Sequence, residues 1–325
     1  MKDIVILDHV TKRFGDFTAV DNISLKVEKG EIFGILGPNG AGKTTTINMI
    51  LGIIPITSGT IIVNGINVSK DPSKVKQQIG FMTQETVVDA DLTARENLEI
   101  FAELYHIPES YKEKAIRKAL EEAELVEFAN KKAGTFSGGM QRRLNLVRAM
   151  IHEPPIVILD EPTTGLDVYN RLHMWEHIRE LRKRGTTIIL TTQYLEEADD
   201  LCDRIAIIDH GKIKAIGTPS ELKRLVSEGS LLEIIVKNSD VEKITNILNS
   251  LGIEPKIENE RIRASLPHGK EKLLSKIIEL SEKEKIEILS IGLHLPTLDD
   301  VFVKLTGSAL RDSIGEFKSN FVRFR

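Results

Sequence analysis

A single cysteine, Cys202, stands in 325 residues. That excludes an internal disulfide and a cysteine-based zinc cluster, and it suits a reducing compartment. Excess charge is nearly absent as well. With 44 basic against 48 acidic side chains the formal net charge is −4 and the pI near 6.1, so the bulk charge draws the chain neither to nucleic acid nor to an anionic membrane surface. Long hydrophobic runs are missing too. No stretch approaches the ~18 apolar residues of a membrane span, and the opening apolar run is too short for a signal peptide. These absences predict a cytosolic protein that reaches a membrane only through a partner. The rest, 41% hydrophobic and 28% charged, is an ordinary globular composition, and the length fits about two domains.

The strongest positive feature is Gly37-Pro38-Asn39-Gly40-Ala41-Gly42-Lys43-Thr44. It follows an apolar run at 32–36 and precedes a helix-like run at 44–51, and strand, glycine-rich turn, helix is the context in which G-x-x-x-x-G-K-[ST] binds phosphate. Glycines let the backbone bring its N–H groups to an anion, and the helix start adds its dipole. Lys43 can then reach the β- and γ-phosphates and the Thr44 hydroxyl can ligate Mg2+. The reading is a nucleoside triphosphate site.

Taken in order, 4–10, 23–27 and 32–36 read as strands, with Phe14-Gly15-Asp16-Phe17 a turn between the first two. A strand at 59–63 closes on Asn64-Gly65, and a short helix at 75–79 leads into Gln84. Helical periodicity covers 93–106, 110–125 and 136–152, with Pro108 and Pro154-Pro155 as stops. Strands at 156–159 and 186–191, helices at 168–184 and 194–201, and a hairpin over 204–216 complete an alternation that predicts a largely parallel sheet with a helical insertion at about 93–152. Past 229 the pattern becomes β-α-β-α-β-α without a glycine-rich loop, a small α+β domain over 229–307. The stretch 308–325 reads as a frayed basic tail.

Two further constellations carry chemistry. Asp160-Glu161 ends the buried strand at 156–159, where α/β sheets place ligand chemistry; Asp160 suits an Mg2+ shell and Glu161 is placed to polarise an attacking water. Ser137-Gly138-Gly139 opens a helix and offers a second anion-binding geometry.

In this order, Gly37 to Thr44 (Walker A), Gln84 (Q-loop), Phe136-Ser137-Gly138-Gly139-Met140-Gln141 (signature), the strand ending in Asp160-Glu161 (Walker B) and Gly165-Leu166-Asp167 (D-loop) resemble the ATP-binding subunits of ABC transporters. The signature Ser137-Gly138-Gly139-Met140-Gln141 continued by Arg142-Arg143-Leu144, the stretch Thr191-Thr192-Gln193-Tyr194-Leu195-Glu196-Glu197-Ala198-Asp199 and Pro296-Thr297-Leu298-Asp299-Asp300-Val301-Phe302 resemble the daunorubicin-resistance type, which serves ABC-2 exporters. The resemblance implies an α/β P-loop NTPase cassette over 1–228, with a mixed sheet core, an antiparallel β subdomain and a helical subdomain. It also implies head-to-tail pairing with a second ATP-binding subunit, homodimeric or a close paralogue, and docking of the segment from Glu85 to Arg95 on a transmembrane permease at the inner face of the cell membrane. ATP and Mg2+ are the implied cofactors. Phe14, Val20, Gly37, Pro38, Asn39, Gly40, Ala41, Gly42, Lys43, Thr44, Thr45 and Asp160 would hold the nucleotide, Thr44, Gln84 and Asp160 its metal. Ser137, Gly138, Gly139 and Asp167 would serve the partner's site. Glu161, Gln84 and Gln193 would carry catalysis. At Gln193 the family's usual switch residue is histidine, so either the amide substitutes adequately or the site hydrolyses slowly. A soluble cassette ATPase and a nucleotide-sensing module are the alternative functions. His173-Met174-Trp175-Glu176-His177 fits a zinc-protease pattern but lies on what the resemblance makes a surface helix, so no metal site is expected there. Cys202 reads as a packing residue.

Overall fold

The computed structural model describes residues 2–307 except 86, 228, 259, 267–269 and 271. The chain divides into two units, Met1–Thr218 and Pro219–Arg325.

In the first unit, strands β1 (Asp3–Phe14) and β2 (Phe17–Glu28) form a long antiparallel hairpin. Positive φ at His9 and Asn22 accompanies breaks in its register, which is why alternation in the sequence shows only part of each strand. Strand β3 (Ile32–Leu36) is buried at every position, as a central parallel strand must be. It feeds helix α1 (Lys43–Ile50), after which β4 (Ser58–Val63) and β5 (Ile66–Asn67) return to the hairpin, completing an antiparallel sheet in the order β2-β1-β4-β5. Helix α2 (Pro72–Gln77) is capped by the Asp71 side chain with Pro72 at its first position, and β6 (Ile79–Met82) follows at once. The expected helix over 75–79 is therefore shifted: proline fixes the start early, and Ile79 belongs to the strand.

The helical insertion comprises α3 (Ala94–Leu104), α4 (Glu109–Glu122) and α5 (Gly138–Met150). Thr93 and Glu96 form a reciprocal capping box at the first, a device that satisfies two end N–H groups at once. The three helices bury Leu98, Ile116, Leu120 and Leu144 in a core of their own. Strand β7 (Ile156–Asp160), α6 (Val168–Lys183), β8 (Thr187–Thr192), α7 (Leu195–Leu201), β9 (Arg204–Asp209) and β10 (Lys212–Gly217) complete the unit. Its main sheet runs β10-β9-β3-β8-β7-β6, parallel throughout except at β10. The carboxyl ends of β3, β6, β7 and β8 therefore share one edge, where such sheets bind ligands. Cys202 is buried against Gly34, where a Cβ would meet its Sγ at 2.8 Å. No helix among the described residues is long and apolar enough to cross a membrane.

The second unit begins with α8 (Pro219–Arg224), followed by β11 (Ser230–Val236), α9 (Val241–Ser250), β12 (Pro255–Glu258), β13 (Arg261–Leu266), α10 (Leu273–Lys283), β14 (Ile288–His294) and α11 (Leu298–Thr306). The expected β-α-β-α-β-α order misses β12, a four-residue edge strand paired with β13. With it the sheet runs β12-β13-β11-β14, every neighbour antiparallel, the ferredoxin-like βαββαβ arrangement. Helix α8 precedes position 229, where the change of pattern puts the second domain's start. It packs on α11, and the Lys304 ammonium donates to the Leu225 carbonyl. The tail expected at 308–325 lies outside the described residues.

Candidate active site

The Gly37–Thr44 turn joins β3 to α1 as its spacing requires. Gly42, at φ 103°, caps the helix in a region a side chain rarely enters. A Cβ there would also stand 2.7 Å from the Ala19 carbonyl and 3.3 Å from Val20 Cγ2, so glycine is needed for space as well as for torsion. Lys43 is buried, its ammonium donating to the carbonyls of Gly37 at 2.7 Å and Pro38 at 3.2 Å. Burial lowers its pKa, and the nearby charges of Glu161 and Asp160 oppose that shift. Thr44, Asn39 and Gly40 are exposed, Thr45 and Pro38 half-buried, Ala41 buried. The loop thus presents backbone, hydroxyl and one lysine to a ligand.

Asp160 ends β7, and Glu161 follows in a left-handed conformation, φ 48°; both are buried. The Thr191 hydroxyl on β8 donates to Asp160 Oδ1, and Thr191 O accepts the Glu161 N–H at 3.0 Å. The Glu161 carboxylate receives the Gln84 amide and the Thr164 hydroxyl, each at 3.0 Å. So the turn after β3, the segment after β6 and the end of β7 are gathered around one cationic side chain. A buried lysine facing two carboxylates at the end of a parallel sheet is a site for polyphosphate and its chemistry.

Ser137 and Gly138 are exposed. The Ser137 hydroxyl accepts the Met140 N–H at 3.3 Å and so caps α5. Gly139 is buried, because a Cβ would fall 2.2 Å from Asn170 Oδ1. Asn170 in turn is held by Asp167, which accepts its backbone N–H and its side-chain amide at 2.8 Å each. Those bonds lower the Asp167 pKa. Signature and D-loop are in this way joined through one asparagine.

Comparison with known proteins agrees. The family described as ABC transporter matches residues 20–164. The linearmycin resistance ATP-binding protein LnrL of Bacillus subtilis (strain 168) is 38% identical over 308 residues, 94% of this chain and 99% of that protein. The daunorubicin resistance ATP-binding protein DrrA2 of Streptomyces coeruleorubidus is 38% identical over 298 residues, 91% and 92% of the two. The chain belongs to the ABC transporter ATP-binding family. Among solved structures, a dimeric ATP-binding cassette in a post-hydrolysis state with ADP and Pi superposes with a TM-score of 0.59 at 29% identity, over 66% of this chain and 98% of that one. This ABC protein binds ATP, is an ATPase, and groups with the daunorubicin-resistance type.

The remaining cassette residues fall as follows. Phe14 is half exposed at the end of β1, its ring covered by the Lys12 ammonium 4.7 Å from the centroid. Val20 has no accessible surface, and its Cγ2 would stand 3.3 Å from a Cβ on Gly42. Gln193 is half-buried after β8, and among the described residues its side chain makes no hydrogen bond. Glu161 is instead held by Gln84 and Thr164. His173 and His177 lie on α6, where the His173 ring meets Tyr169 edge-on.

Four residues of the cassette have structural roles that the motifs do not assign. Thr191 and Thr164 hold the carboxylates. Glu197 on α7 is fully buried and accepts the Thr163 hydroxyl and the Trp175 indole N–H, each at 2.9 Å; burial raises its pKa. Arg142 on α5 is 3% exposed and donates to the carbonyls of Gln84, Glu161 and Pro162. None has a local signature.

Proposed function

We propose that this ATPase powers an ABC-2-type exporter as one of two cassettes docked head to tail. The carrying observation is that Lys43, Asp160, Glu161 and Gln84 gather at one end of the sheet while Ser137 and Gly138 stay exposed. A nucleotide site built on the P-loop lacks a covering wall, and an exposed helix start with free backbone donors is a wall without its own nucleotide. Two copies complete each other.

In this reading, ATP draws the Lys43 ammonium away from the carbonyls of Gly37 and Pro38 to its β- and γ-phosphates, and adenine stacks on the open face of Phe14. Glu161 takes the proton of the attacking water, steadied by Gln84, with Gln193 at the far side of the γ-phosphate. Ser137, Gly139 and Asp167 act on the nucleotide of the other copy. Thr44, Asp160 and Gln84 supply oxygen donors of the hard type that Mg2+ prefers, and the ion when bound neutralises charge on the phosphates. Exposed Val87 in the segment after Gln84, and exposed Ile100 and Leu104 on the following helix α3, offer the permease an apolar contact. Export is the work named in a relative described as Nod factor export ATP-binding protein I, and it extends to this chain on 37% identity over 94% of its length.

The test is the ATP-loaded Glu161→Gln chain in size-exclusion chromatography with multi-angle scattering. Dimer is expected with ATP, and monomer without ATP or with added Ser137→Arg. A Glu161→Gln chain that stays monomeric at saturating ATP, with or without a co-expressed membrane subunit, would sink the paired-site reading.

A further inference from the structure

We propose that Arg142 is a positioning residue for hydrolysis, which fixes the backbone on which Glu161 and Gln84 stand. This rests on the reading of Glu161 as the base and Gln84 as its companion.

The guanidinium uses separate N–H groups for separate carbonyls. Nε donates to Pro162 O at 2.8 Å, Nη1 to Gln84 O at 2.6 Å, and Nη2 to Glu161 O. These acceptors come from two segments, one after β6 and one after β7, and they belong to or flank both side chains that face the γ-phosphate. Glu161 needs such support more than its neighbours. Its φ of 48° is one that a residue with a side chain rarely adopts. The Thr191 carbonyl holds its N–H, Arg142 holds its C=O, and the conformation persists because both ends are tied. The Gln84 carbonyl is tied in the same way, so the 3.0 Å contact between the Gln84 amide and the Glu161 carboxylate is set by one planar fork. Burial disfavours the charged guanidinium, while Glu161, Glu197 and Asp160 favour it. A buried charge kept at that cost serves geometry.

Arg142 also sits one turn beyond Ser137 and Gly139 on α5. The helix whose start serves the other copy's nucleotide therefore sends a side chain into its own copy's catalytic loop. A displacement of α5 on pairing moves the Glu161 carbonyl with it.

The experiment is steady-state ATPase kinetics of the full chain as wild type, Arg142→Met, Arg142→Lys, Arg142→Gln and Glu161→Gln, with ATP affinity measured separately by equilibrium titration. Loss of orientation about an ångström from the productive geometry costs on the order of a hundredfold in kcat. Arg142→Met and Arg142→Lys are expected to lose about that much, because a lysine cannot span three carbonyls. ATP affinity should stay within about twofold, since Lys43 and its loop are untouched. Arg142→Gln, shorter and with both N–H groups on one nitrogen, should lose at least as much. Wild-type kcat in Arg142→Lys, or equal losses of kcat and ATP affinity in both the Lys and Gln variants, would overturn the proposal. Turnover by Glu161→Gln would instead overturn the reading of Glu161 as base, so the two failures are told apart.

Discussion

Thr191→Val removes one oxygen from a fully buried side chain and almost nothing else. In the wild type that hydroxyl donates to Asp160 Oδ1 and lies 3.2 Å from the Glu161 N–H, whose shorter bond, at 3.0 Å, goes to the Thr191 carbonyl. The valine therefore leaves the Glu161 N–H served and the Asp160 carboxylate short of a donor. Asp160 is 6% exposed, too little for water to restore the bond, and a hydrogen bond to a charged group contributes about 1.5–3 kcal/mol. The folded-to-unfolded ratio should fall about 10- to 150-fold. Thr191→Ser keeps the donor and loses one buried methyl, which costs about 1 kcal/mol. Serine should thus be the more stable variant although valine fills the space better. Denaturant unfolding can be followed through Trp175, the sole tryptophan, buried on α6. ATPase turnover should follow the same order, with valine down about tenfold because Asp160 is no longer aimed. A valine variant as stable as wild type, or more stable than serine, would show that the hydroxyl does not hold Asp160.

Gly139→Ala should cost about 1–3 kcal/mol by overpacking, because Asn170 is pinned to Asp167 and cannot yield freely. Gly138→Ala, with open space around it, should unfold like wild type in the same denaturant titration. Gln193→Ala should lower turnover about tenfold and Gln193→His should restore it; an unchanged alanine variant takes Gln193 out of the mechanism. His152 stacks on Tyr105, centroids 3.6 Å apart, and burial pushes its pKa down to about 4. Unfolded histidine titrates near 6.5, so between those values the unfolded chain takes up a proton that the folded one refuses. Stability from this source is whole above pH ~6.5 and falls toward pH 4 by at most about 3 kcal/mol. His152→Phe should flatten that slope in denaturant titrations across the range.

Much of the main sheet was legible because its strands are short buried runs ended by glycine or carboxylate, as at β3 and β7. Where local signals are weak or misleading, tertiary pairing and backbone restriction set the element bounds instead. Proline at position 72 moved α2 forward, and β12 has too few apolar residues to be seen apart from its pairing with β13. Bulges hid half of β1 and β2 in the same way.

The capacity to bind a nucleoside triphosphate was legible in one dimension. That capacity is local: Gly37 to Thr44 is one continuous stretch whose backbone, glycines and lysine act together wherever strand and helix flank it. The order of motifs around it, from Gln84 to Asp167, likewise survives in one dimension. The tertiary structure alone decided what holds the catalytic groups in place. Gln84 reaches Glu161 across 77 residues, Thr191 reaches Asp160 across 31, and Arg142 reaches the Glu161 carbonyl across 19 and the Gln84 carbonyl across 58. Such bonds exist only once β6, β7, β8 and α5 converge, and they turn Glu161 from one acidic residue among 48 Asp and Glu into one with a fixed direction.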